Sequence, residues 1–194
     1  MYPPPYYYSD DSAQLRAFLQ QHYFGLLLSS GGSLSYTPLP FLFAWHSAGD
    51  KAFCHLARHN PQLKQLDGAE VTIIIQGPHA FVPASCYQQQ PAVSTWNYAM
   101  VELKGIARVL DTEQTLALVR KQEAHSAPAM AQAAQYQQRL VKAIVGVEIS
   151  LSSVTGRFKL SQNKAATEQQ AVIAHLQQSE QPVTVWQMMQ QVGG

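Results

Sequence analysis

Between Phe24 and Leu160 one pattern recurs: a short apolar or β-branched run, then a break built from Gly, Pro, Asn or Asp. Such runs read as strands and such breaks as turns, which favours a mainly β chain with flanking helices over alternating βαβ units. Residues 24–29 form the first run, and Gly31-Gly32-Ser33 supplies a hairpin turn. Its partner, residues 34–45, contains Pro38 and Pro40, which lack the N–H of a central strand, so it is predicted at an edge or with a bulge. Gly49-Asp50 turns the chain into a strand ending near His55. Residues 71–76 form a buried strand punctuated by Gly77-Pro78 and continuing extended over 79–82. Residues 83–94 are a Gln- and Pro-rich loop. Residues 95–110 form the longest strand, bent near Gly105, and 144–151 and 154–160 are two more. The count of six or seven strands suits a small barrel.

Helices decorate these strands. Ser9, Asp10 and Asp11 cap a helix with Leu15, Phe18, Leu19 and Tyr23 on one face. Asn60-Pro61 starts a short helix to Leu66. Asp111 caps residues 112–124, a Gln- and Ala-rich helix follows Pro128, and residues 165–178 and 183–191 form the last two.

Hydrophobic residues make up 46% of the 194, enough for a sizeable core without disulfides or metal. The formal net charge is +1 and the charged fraction 13%, so there is no broad basic footprint for nucleic acid and little repulsion between copies. Cys54 and Cys86 are expected as buried free thiols. The Tyr- and Pro-rich start lacks the pattern of a signal peptide, and no apolar run would span a bilayer, so a cytoplasmic location is expected.

Nucleotide-loop, zinc-protease and CxxC motifs are lacking. Of the seven histidines only His55 and His59 have a helical metal-ligand spacing, and Asn60-Pro61 argues against a helix through both; no metal is expected. Three segments have chemistry to offer. His55 to Pro61 puts Arg58 where a strand hands over to a helix N-terminus, a place for an anion or simply a capped helix with a solvated Arg. Thr95-Trp96-Asn97-Tyr98 alternates rings with an amide, suited to the edge of a planar ring system or to plain core. The stretch from Gly156 to Lys164 is basic and polar after a strand, a ligand loop or a solvated connector.

Taken together, "HLARHNPQ" from His55, "QGPHAFVPASCY" from Gln76, "TWNY" from Thr95, "IVGVEI" from Ile144 and "GRFKLSQNK" from Gly156 resemble, in order, the signature blocks of the PaiB family of FMN-binding negative transcriptional regulators. The resemblance spans residues 1–176. It implies a split β-barrel of the flavin-reductase and pyridoxamine-phosphate-oxidase type over residues 1–164. Residues 165–194 would be a helical appendage on the barrel or on a dimer partner. It further implies a homodimer that holds FMN in interface clefts. Arg58 would hold the phosphate with His55 and Asn60, Trp96 and Asn97 would approach the ring, and Lys159, Ser161 and Gln162 would close the cleft. Thr37 is carried over beside them. The sequence departs from the family where a histidine becomes Pro38 and a tryptophan becomes Cys86, and where residues 125–136 look shortened. An FMN-dependent oxidoreductase and a cofactor-less dimer are the alternative functions, and DNA is a partner that the charge does not favour.

Overall fold

A computed structural model describes residues 4–126, 141–179 and 184–192. The strands are β1 (Tyr8–Ser9), β2 (Phe24–Ser29), β3 (Ser35–Pro40), β4 (Leu42–Ala44), β5 (Lys51–Ala57), β6 (Glu70–Val82), β7 (Thr95–Val109) and β8 (Ile144–Lys159). The helices are α1 (Ser12–Gln21), α2 (Thr112–Ser126), α3 (Ala166–Gln178) and α4 (Thr184–Val192). The sheet order is β3-β2-β6-β7-β8-β5-β4, with β1 beside β8.

Two compact units share these strands. The hairpin unit comprises Tyr23–Ile75 and Glu102–Val154; the helical unit comprises Met1–His22, Gln76–Val101 and Thr155–Gly194. Within the hairpin unit β2 and β3 form the expected hairpin, Leu26 opposite Pro38, and β3 is at an end of the strand order, where its prolines forfeit no ladder bond. The expected single partner strand over 34–45 is instead two strands broken at Phe41, whose N–H continues the β2–β3 register onto the Tyr23 carbonyl at 2.7 Å before Leu42–Ala44 pair with β5. β3 and β4 are the two ends of the order, yet Phe41 alone separates them in the chain. A sheet whose first and last strands are one residue apart has to curl round on itself, which is the geometry of a barrel. Its interior holds Leu27, Phe41, Ile73, Leu103, Val147 and Ile149.

Gly105 marks close approach of strands: a Cβ there would sit 2.3 Å from the Ser150 carbonyl oxygen. The two strands expected over 144–160 are one, β8, because Ser152 and Ser153 stay extended and the Ser152 hydroxyl bonds the Lys104 carbonyl at 3.2 Å. Similarly β6 runs unbroken past Gly77-Pro78. In the helical unit Gly77 is where the Phe18 ring packs, 2.6 Å from a hypothetical Cβ. The Asp11 carboxylate caps α1 and that of Asp111 caps α2, as the sequence predicts. The helix expected after Pro128 lies outside the described residues. No helix among the described residues is long and apolar enough to cross a membrane.

Candidate functional site

Four of the predicted contact residues fall in the hairpin unit. Thr37 lies on the inward face of β3 and donates through Oγ1 to Gln62 Oε1 at 2.6 Å while accepting from Asn60 Nδ2 at 2.9 Å. Asn60 Oδ1 in turn accepts from the Gln62 backbone N–H, capping a 3-10 helix of five residues, Pro61–Gln65. The buried Gln62 amide completes the network on the Leu27 carbonyl and the Ser29 hydroxyl. Thr37 and Asn60 are thus brought together, as parts of a brace between β3 and that short helix.

Arg58 is exposed, and its guanidinium donates through Nε to the Lys142 carbonyl at 2.6 Å and through Nη2 to the Ile144 carbonyl at 3.0 Å. Two of its five N–H donors are therefore engaged by main chain. His55 Nδ1 donates to Gln122 Oε1 at 2.7 Å, from β5 to α2. The Gln122 Nε2 beside it is buried and has no hydrogen-bond partner among the described residues. Such a donor is costly to leave unmade and marks His55 and Gln122 as a place where a further acceptor fits.

The other five fall in the helical unit. Asn97 is fully buried on β7 and its amide donates to the Ser161 hydroxyl at 2.9 Å and approaches the Met189 sulfur of α4 at 3.4 Å. Lys159 Nζ donates to Thr95 Oγ1 and to the Trp96 carbonyl, tying the end of β8 to the start of β7. Trp96 turns its ring outward, 53% exposed, edge-on to Phe81 at 5.5 Å. Gln162 folds back on main chain, accepting from the Leu160 N–H and donating to the Phe158 carbonyl, and so shapes the loop.

Around this group lies a cavity of about 170 Å³ lined by Tyr7, Tyr87, Asn97, Lys159, Ser161 and Lys164, among others, with no carboxylate in its wall among the described residues. Burial, and then the charge of Lys164, lower the Lys159 pKa. Two residues before Lys159 is one that the sequence places in the basic stretch but not among the predicted contacts. Arg157 is only 8% exposed, and its Nε and Nη1 are buried with no partner among the described residues. Strand alternation puts Arg157 and Lys159 on one face of β8, about 6.5–7 Å apart. Their spacing of two was the available signal; that two donors of Arg157 would be buried without a partner among the described residues was not readable.

Lys159 and Lys164 in one wall with hydroxyl and amide groups suit an oxyanion, and the comparisons with known proteins bear on which one. Residues 1–153 match the family described as "Putative FMN-binding domain". The chain is 30% identical over 191 residues to protease synthase and sporulation protein PAI 2 of Bacillus subtilis, covering 94% of this chain and 92% of that one. It belongs to the PaiB family. Among solved structures, the FAD and heme binding protein of Mycobacterium smegmatis superposes with a TM-score of 0.63 at 14% identity, over 85% of this chain and 79% of that one. The flavocytochrome Anf3 of Azotobacter vinelandii gives 0.61 at 14% identity, over 81% and 72%. At such identity the likeness speaks for fold, and this PaiB-family chain has the split-barrel fold expected from its sequence.

Proposed function

We propose that this chain binds FMN as a homodimer and acts through it as a negative regulator of transcription. The observation that carries the flavin is the cationic cavity wall, Lys159 and Lys164 with no acid among its described residues, and with Arg157 two residues before Lys159 on β8, whose Nε and Nη1 are buried without a partner among the described residues. A phosphate dianion fits that charge, because buried guanidinium donors without a partner are unfavourable and a planar fork matches phosphate oxygens. Lys159 and Ser161 would hold the phosphate end, with Asn97 and Gln162 fixing the loop that carries Ser161. Trp96 would offer its exposed face to the ring. Thr37, His55, Arg58 and Asn60 form the second proposed contact group, in the hairpin unit. When bound, FMN supplies the redox chemistry and a visible absorption band.

The homodimer finds support on the outer face of the hairpin. Phe24, Leu26 and Tyr36 are 62%, 37% and 67% exposed there, and Leu26 is opposite Pro38 and next to Ile74 of β6. Pro38 and Pro40 cannot donate to an added strand, so this apolar surface is suited to meeting a second copy face to face.

The test is the absorbance spectrum of the purified protein, then FMN titrations of wild type, Lys159→Ala, Arg157→Gln and Arg58→Ala. Binding weakened by the β8 substitutions supports the assignment; folded wild type that takes up no FMN refutes it. Regulation is read separately by gel shift against salt with the flavin oxidised and reduced, alone and with cell extract. An oxidoreductase would instead turn over NADH or NADPH with FMN bound.

A further inference from the structure

We infer that the hairpin unit contains a second ligand site, separate from the flavin contacts, that takes a small aromatic anion. The site is a cavity of about 430 Å³ between α2 and the sheet face of β4, β5 and the hairpin-unit parts of β7 and β8. That volume lies in the range of about 300–1,000 Å³ typical of small-molecule pockets. None of the residues proposed above to touch FMN lines it.

The ligand class follows from the walls. Phe43 and Phe53 come from the strands, and Leu110, Ala117 and Leu118 from the start of α2 and the turn before it. Phe43 is the middle of three nearly parallel rings, 6.3 Å and 21° from Phe41 and 5.8 Å and 13° from Trp45. Held between these neighbours, the Phe43 ring is fixed in place, and with Phe53 and the aliphatic side chains it makes an apolar lining that suits a ring-bearing ligand, since packing then needs no rearrangement of the wall. The cations of the lining are Arg108 and Lys121, and Gln114 and His125 are further polar residues in it. Glu148 is the one acid of the described lining, and its carboxylate is already bridged by Lys51 at 3.1 Å and by Arg108 at 3.2 Å. With Arg108 paired to Glu148, the charge left over in the described lining is the positive charge of Lys121, and an apolar, ring-lined interior beside it complements an aromatic carboxylate or sulfonate.

The probe is 8-anilinonaphthalene-1-sulfonate, titrated by fluorescence into wild type and into two variants at exposed α2 positions, Ala117→Trp and Lys121→Glu. Circular dichroism and melting confirm that both variants fold, and FMN titration should give the wild-type curve in each. Saturable one-site binding is expected in wild type. Filling the cavity through Ala117→Trp should weaken it about tenfold or more, and reversing the charge through Lys121→Glu several-fold. FMN at saturation should leave probe binding unchanged. Three results would overturn the inference: non-saturable binding, binding indifferent to both variants, or displacement of the probe by FMN, which would make this cavity part of the flavin site.

Discussion

The side chains of Asn97 and Ser161 hydrogen-bond each other in both directions, amide to hydroxyl at 2.9 Å and hydroxyl to amide oxygen at 3.2 Å. Ser161 reaches this position with φ at 64°, a left-handed conformation uncommon for a residue with a side chain. The pairing over-determines the loop after β8, and so the placement of Lys159 and Lys164 on either side of it. Replacing Ser161 by Ala should leave the fully buried Asn97 amide short of a partner and cost about 1–3 kcal/mol, read as a lowered denaturation midpoint. Ser161→Gly should cost less, because glycine relieves the backbone while losing the same hydroxyl. Equal losses in the two variants would mean that the positive φ carries no strain.

Lys159 gives the proposed anion site a pH signature. Its pKa is lowered, by burial first and by Lys164 second, so in the alkaline range it loses its proton before an ordinary lysine does. FMN affinity should therefore decline as pH rises through that lowered pKa, and Lys164→Ala should move the decline to higher pH. Stability of the flavin-free protein should run the other way. Between the lowered folded value and the ordinary unfolded one the unfolded chain binds the extra proton, so folding gains as pH rises. Isothermal titration across an alkaline pH series, paired with melting curves, checks both signs.

Glu148 should contribute to the acid limb of stability. Burial alone would raise its pKa, but hydrogen bonds from Lys51 and Arg108, with their charges, outweigh this and hold it below the usual carboxylate range. The stabilisation is present above the unfolded pKa and is lost as pH falls through the lowered folded value. Lys51 and Arg108 are partly exposed, so the network is worth about 0.5–1 kcal/mol. Urea titrations between neutral pH and pH values below the carboxylate range should show Glu148→Gln less stable than wild type at neutrality and equal to it in acid.

The two cysteines should react unequally. Cys54 is fully buried on β5, and burial pushes its thiol up to about 12; Cys86 is half-buried, and its thiol is raised as well, chiefly by burial. A disulfide-exchange reagent at neutral pH should label Cys86 slowly in the native protein and reach Cys54 only on denaturation. Two rapid equivalents in the folded protein would contradict the burial of Cys54.

Local chemistry made much of this fold legible. The Gly31-Gly32 turn, the prolines that sent β3 to the end of the sheet and the Asn60 cap are all encoded within a few residues of where they act. The misreadings arose where a local signal was overridden at a distance. Ser152-Ser153 reads as a break, yet pairing across the sheet keeps β8 extended. Phe41 reads as mid-strand, yet the residues after it leave the β2 ladder and pair with β5. The site divides likewise. Lys159 and Ser161 were visible as a polar run, but the burial of Arg157 Nε and Nη1 without a partner among the described residues is a property of its surroundings. The α2 cavity draws on residues from Leu42 to Glu148, a spread that no motif registers.

The single residue between β3 and β4 also bears on how the molecule comes to fold. β2 and β3 pair across a short turn and can form early, whereas β5 must find β8 with Lys51 opposite Ser150, half the chain away. β4 and β5, which Phe41 fastens directly to the end of the hairpin, therefore cannot complete their part of the barrel until β8 has emerged and been placed. Closing such a distant pair carries a large entropic cost before it returns any contact, so the barrel should assemble slowly and late in synthesis. Until then the early hairpin would display its apolar outer face alone, and that interval is when the chain would be most exposed to aggregation.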